Sequence, residues 1–200
     1  MGLFSAQLPD FPWDSLVPIR ERAAAHPDGV VDLTIGTPVD SVPPGAREAL
    51  AEACNAHGYP LTVGTAELRA AIRGWLERRR GVRAEVGVLP TIGSKEMVAL
   101  LPSLLGLGAG DTVGFPRASY PTYDVGARLA GATPMPVDTD ADPSTWPAMS
   151  MLWLNSPGNP DGHVLGVERL RAIVEWARER GVVVASDECY AELAWDVSEA

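Results

Sequence analysis

Apolar and polar positions change rhythm repeatedly along this chain, and each change of rhythm predicts an element. Helical spacing over residues 15–25 is followed by a short apolar run at 30–35 that predicts a strand. Residues 44–56 predict a helix, with proline tolerated in its first turn. In 65–80, Thr65 supplies a cap, Leu68, Ile72, Trp75 and Leu76 recur at helical spacing, and Gly81 stops the helix. From there strands and helices alternate. Strands are predicted at 86–91, 112–115, 133–137, 151–155 and 182–186. Helices are predicted at 94–105, 120–130 and 167–180, the last closed by Gly181. Unbroken apolar strands separated by helices predict an α/β fold, a mostly parallel sheet covered by helices on both faces.

In such sheets ligands bind where strands end and helices begin. Four stretches fall at those points. Gly93-Ser94-Lys95 opens a helix with backbone N–H groups and a hydroxyl, which suits an anion such as phosphate but also reads as an ordinary serine cap. Tyr120 and Tyr123 follow the strand ending at Phe115; either could cover a flat ring or simply pack. The turn 155–162, Asn-Ser-Pro-Gly-Asn-Pro-Asp-Gly, offers amides on a rigid loop, as many surface turns do. Asp187 follows the buried strand directly, where a partly sheltered carboxylate could keep a cation protonated or could cap a helix. The glycines at 106, 108 and 110 follow a helix and precede a strand, the reverse of a dinucleotide motif. Cys189 has no histidine near it in sequence, and His26, His57 and His163 have no zinc-ligand spacing.

Composition narrows the classes. Hydrophobic residues are 46% and charged residues 21% of the 200, the balance of a soluble globular protein. A net charge of −10 disfavours a nucleic-acid partner, which demands clustered Lys and Arg. No apolar stretch reaches the ~20 residues of a membrane span, and the opening residues lack the pattern of a signal peptide. Two distant cysteines, Cys54 and Cys189, fit a reducing cytoplasm. There is a single lysine, Lys95, against fifteen arginines.

Taken in order, LTIGTP (33–38), HGYPLTVGTAELR (57–69), TIGSKEMV (91–98), PRASYPTY (116–123), LNSPGNPDG (154–162) and SDECY (186–190) resemble the class I/II aminotransferases, fold type I enzymes that use pyridoxal phosphate. The combination of the LNSPxNPxG loop with SDExY is highly specific. The resemblance implies an N-terminal arm or small-domain segment over 1–40 and an incomplete pyridoxal-phosphate-binding large domain over 41–200, with the C-terminal domain absent. It implies that Asp187 pairs with the pyridine nitrogen and that Asn159 and Tyr190 hydrogen-bond the ring's 3′-oxygen, Asp187 and Tyr190 being the catalytic pair within the chain. Tyr120 would stack on the ring, and Ser94 with the backbone of Lys95 would hold the phosphate. Tyr59 would reach the phosphate of the other subunit's cofactor, implying a homodimer. Gly36 lies where the family's backbone meets the substrate carboxylate. Asp161 stands where the family usually has Thr.

Lys95 matches the phosphate-loop position, not the Schiff-base lysine, which in the family lies in a Ser-x-Ser-Lys stretch beyond SDExY. The chain is therefore expected to be truncated and inactive alone. Within the family, stretches such as IGTPVDSVPP (35–44) and VLGVERLRAIVEWARERG (164–181) are similar to actinobacterial N-succinyldiaminopimelate aminotransferases. That similarity implies amino transfer between glutamate and a 2-oxo-acid acceptor in lysine and diaminopimelate biosynthesis, in the cytoplasm and by ping-pong kinetics. An aspartate- or alanine-type aminotransferase, a β-lyase and a non-catalytic truncated paralogue remain open alternatives.

Overall fold

The computed structural model describes residues 8–10 and 12–193. The first helices are α1 (Val17–Ala24), which continues a 3-10 turn at Pro12–Leu16, α2 (Pro44–Ala53) and α3 (Ala66–Arg80). The Thr65 side chain accepts the Leu68 backbone N–H, and Gly81 closes α3 at φ 64°, as the sequence predicts. That backbone conformation is one a residue with a Cβ rarely adopts.

Then come α4 (Ser94–Leu104), β1 (Thr112–Pro116), α5 (Thr122–Leu129), β2 (Thr133–Val137), β3 (Met151–Asn155), α6 (Val167–Arg180) and β4 (Val183–Asp187). The four strands form one sheet in the order β2-β1-β3-β4, and every pairing is parallel. The chain divides into two compact units: Pro18–Thr91, and the described residues up to Val17 together with those from Ile92 on.

Burial explains the sheet. Side chains alternate across a strand, and β3 sends Met151 and Trp153 to one face and Leu152 and Leu154 to the other. The first pair joins Val98 of α4, Val113 and Phe115 of β1, and Tyr123 and Ala127 of α5 in one core. The second joins Val137, Leu165, and Ile173, Trp176 and Ala177 of α6 in another. The strand positions that face these cores are apolar, and each such side chain contributes roughly 1.5–3 kcal/mol. Helices α4 and α5 pack closely: a Cβ on Gly126 would stand 2.9 Å from the Val98 carbonyl oxygen.

Two expected strands do not form. Residues 30–35 and 86–91 are irregular, and Val31 and Leu33 are more than four-fifths exposed. β-branched residues favour extended backbone, but a strand also needs a partner for its N–H and C=O groups. Among the described residues, the unit Pro18–Thr91 contains no strand to pair with.

Candidate active site

Because the sheet is parallel, β1, β3 and β4 all finish at one edge, and these three strands are neighbours. Tyr120 and Tyr123 follow β1, Asn155 ends β3 with Asn159 just beyond, and Asp187 ends β4 with Tyr190 just beyond. In register, Asn155 lies opposite Asp187.

Hydrogen bonds and ring contacts join most of these residues. The Tyr123 hydroxyl donates to Asp187 Oδ2 at 2.9 Å. Asp187 Oδ1 accepts the Cys189 backbone N–H at 3.3 Å. Asn155 Nδ2 donates to the Asp187 carbonyl at 3.0 Å, and Asn155 Oδ1 accepts the Asn159 N–H at 2.8 Å. Asn159 Nδ2 then donates to the Tyr190 hydroxyl oxygen at 3.1 Å. At the other end, Tyr120 meets the Tyr123 ring edge-on, centroids 6.4 Å apart, and Tyr123 lies against Trp153 at 5.2 Å. Tyr120, Asp187, Asn159 and Tyr190 are thus parts of one connected group.

The electrostatics follow from this wiring. Burial, and then the neighbouring Asp187 charge, push the Tyr123 phenol far above its ordinary range. It stays protonated and acts as a donor to the carboxylate. Burial likewise raises the Tyr190 phenol, while the bond from Asn159 acts the other way. The Cys189 thiol is pushed up to about 11, by burial first and then by Asp187, which makes it a poor nucleophile.

The loop between Asn155 and Asn159 is held from its far side. The Gly158 N–H donates to the His163 carbonyl at 2.9 Å, and Ser156 Oγ accepts the Leu165 N–H at 2.9 Å. His163 Nε2 lies 3.1 Å from Asp140 Oδ1, which ties the loop to the connection before β3.

The hydrogen bonds and ring contacts given above do not include the other sequence-derived residues. Gly93 occupies the N-cap position of α4, so Ser94 is its first helical residue and not its cap. Ser94 and Lys95 are exposed there. Tyr59 and Gly36 belong to the other unit, and both are exposed. The network also takes in Tyr123, which the sequence offers as a ring-covering or packing aromatic, and Asn155, which it offers as the first amide of the 155–162 turn; their bonds to Asp187 are what the sequence does not show. Tyr123 follows Tyr120 by about one helical turn, and Asn155 is a polar residue closing an apolar strand. Those were the available signals.

Residues 28–200 match the family model described as aminotransferase class I and II. The chain belongs to that family. It is 55% identical over 95% of its length to the 4-dedimethylamino-4-oxo-anhydrotetracycline transaminase OxyQ of Streptomyces rimosus, covering 53% of that protein. It is 56% identical over 98% of its length to a probable aminotransferase of Mycobacterium tuberculosis, covering 47% of it. Among solved structures, the N-succinyldiaminopimelate aminotransferase of Mycobacterium tuberculosis superimposes with a TM-score of 0.80 at 29% identity, over 98% of this chain and 54% of that one. The chain spans about half the length of the curated relatives it matches.

Members of this aminotransferase family use pyridoxal phosphate, and the donor set at the strand ends suits that group. A partly exposed carboxylate can face a protonated ring nitrogen. The Asn159 amide gives one hydrogen to Tyr190 and has a second to donate, and the Tyr190 hydroxyl is a donor beside it, chemistry suited to an anionic oxygen. Tyr120 offers an aromatic face. Among the described residues no cluster could hold a metal ion, and no helix is long and apolar enough to cross a membrane.

Proposed function

We propose that this chain carries the cofactor-facing residues of a pyridoxal-phosphate-dependent aminotransferase. The observation that carries the reading is the connected network that ends in the Asp187 carboxylate on one side and the Asn159–Tyr190 donor pair on the other. Pyridoxal phosphate, when bound, supplies an electron sink for the substrate's α-carbon. Asp187 holds a proton on the ring nitrogen, because an adjacent anion favours the charged form of a base. Tyr123 keeps that carboxylate oriented. Asn159 and Tyr190 hold the ring oxygen by hydrogen bonds, Tyr120 covers the ring face, and Ser94 with the Lys95 backbone grips the phosphate at the amino end of α4. Tyr59 and Gly36 keep the roles that the family resemblance gives them, toward the second subunit's cofactor phosphate and the substrate carboxylate, in a cytoplasmic homodimer.

For the acceptor, we favour the N-succinyl-diaminopimelate precursor with glutamate as donor. Supporting this are the wording of 164–181 and the likeness to the mycobacterial enzyme. A second reading, amino transfer onto a ring ketone, is favoured by the higher identity to the Streptomyces rimosus transaminase. Assaying the complete gene product with glutamate against both acceptor types separates them. Turnover confined to the succinylated oxo acid supports the first, turnover confined to the ring ketone supports the second, and turnover with neither overturns both.

A further inference from the structure

Asn155 is a buried polar side chain, 7% exposed, at the end of a strand that is otherwise Met-Leu-Trp-Leu. Pairing of β3 with β4 is a matter of backbone groups, so the ladder does not require an amide side chain here. Burying one is unfavourable unless its hydrogen-bonding groups are satisfied. Both ends of this amide are engaged, and in two different segments. Nδ2 reaches the carbonyl of Asp187 at 3.0 Å, while Oδ1 takes the N–H of Asn159 at 2.8 Å. One short, buried side chain therefore joins the end of β4 to the loop that carries Asn159.

We infer that Asn155 is a positioning residue that fixes Asn159 relative to Asp187. The Asn159–Tyr190 donor pair and the carboxylate are thereby presented to one ring at a set separation. Asn155 acts through Asn159, by holding its backbone. The Asn159 amide itself is committed to Tyr190 by one hydrogen and keeps a second to donate. Without the tether, the loop pivots on its remaining bonds at Gly158 and Ser156, and the amide loses its aim.

This inference rests on the reading of Asn159 proposed above, and the experiment is arranged to tell the two apart. The complete gene product is loaded with pyridoxal phosphate and the absorption of the bound cofactor is followed against pH. Donors aimed at the ring oxygen stabilise its anionic form and hold the titration midpoint low, so losing one moves the midpoint up, by about one pH unit for a hydrogen bond of ordinary strength. Asn159→Ala is expected to show that rise. Asn155→Ala is expected to move the midpoint the same way, and the double variant no further than Asn159→Ala alone, because one residue acts through the other. An unmoved midpoint in Asn155→Ala beside a raised one in Asn159→Ala overturns the positioning role, as do additive shifts in the double variant. An unmoved midpoint in Asn159→Ala overturns the reading of Asn159, and this inference with it. If Asn155→Ala does not fold, Asn155→Ser serves with the same expected and contrary results, since its shorter side chain cannot reach both partners.

Discussion

Replacing Tyr123 by phenylalanine removes one atom from the centre of the network and nothing from its packing. The ring is fully buried, and its contacts with Trp153 and Tyr120 are unchanged in phenylalanine. What disappears is a hydroxyl donating to the Asp187 carboxylate at 2.9 Å. Hydrogen bonds to charged groups are worth about 1.5–3 kcal/mol. Asp187 is partly exposed, so water re-solvates its freed oxygen, and the loss falls toward about 1–2 kcal/mol. Urea unfolding followed by tryptophan fluorescence at neutral pH measures it. The alkaline limb gives an independent check. The folded-state value of Tyr123 is raised, so its contribution is complete below the ordinary tyrosine range and is lost as pH climbs beyond it. Above about pH 10 the unfolded chain releases a proton that the folded one keeps, and stability falls by about 1.4 kcal/mol per pH unit for that group. Phenylalanine has no such proton, so the gap between wild type and variant should narrow there. Equal stability at pH 7 together with parallel alkaline limbs would refute the buried donor bond.

Two further outcomes test the packing and the local electrostatics. Glycine to alanine in a helix ordinarily gains about 1 kcal/mol, but at Gly126 the new Cβ would press on the Val98 carbonyl and the Ala99 backbone at 2.9–3.1 Å. The Gly126→Ala chain should therefore lose about 1–2 kcal/mol in the same unfolding assay. Gly74→Ala should gain stability, because its Cβ meets only the movable Arg78 guanidinium; the opposite ordering would contradict the α4–α5 contact. Cys189 is surface-exposed, but a thiol held up to about 11 carries few thiolates at pH 8, so it should alkylate with iodoacetamide more slowly than an unperturbed thiol. A rate equal to that of a free thiol would remove the burial and Asp187 effects that hold it up.

The sequence pattern was most informative where one strand determines its own surroundings. β3 is apolar on both faces and could lie only inside a covered sheet, and α3 announced both its ends through Thr65 and Gly81. It misled at residues 30–35 and 86–91, because an extended apolar run specifies a conformation but not the neighbour that a strand must pair with. The site divides in the same way. Asp187, Asn159, Tyr120 and Tyr190 stand at strand ends and were legible from position and from the family resemblance. Tyr123 and Asn155 do their work through hydrogen bonds to residues 64 and 32 positions away. Nothing local in PRASYPTY or MLWLN distinguishes a packed tyrosine from one aimed at a carboxylate, or a turn asparagine from a clamp. The register of β3 on β4 reveals the pairing of Asn155 with Asp187, and the placement of α5 against the sheet reveals that of Tyr123.

The most direct measurement is the 15N resonance of the ring nitrogen of labelled pyridoxal phosphate bound to the complete gene product, with and without Asp187→Ala. A protonated-nitrogen shift in wild type that moves to the unprotonated position in the variant is the expected result, because removing the anion removes the reason for the proton to stay. The same shift in both proteins would mean that Asp187 does not face the ring, and the convergence of these strand ends on one cofactor would be wrong.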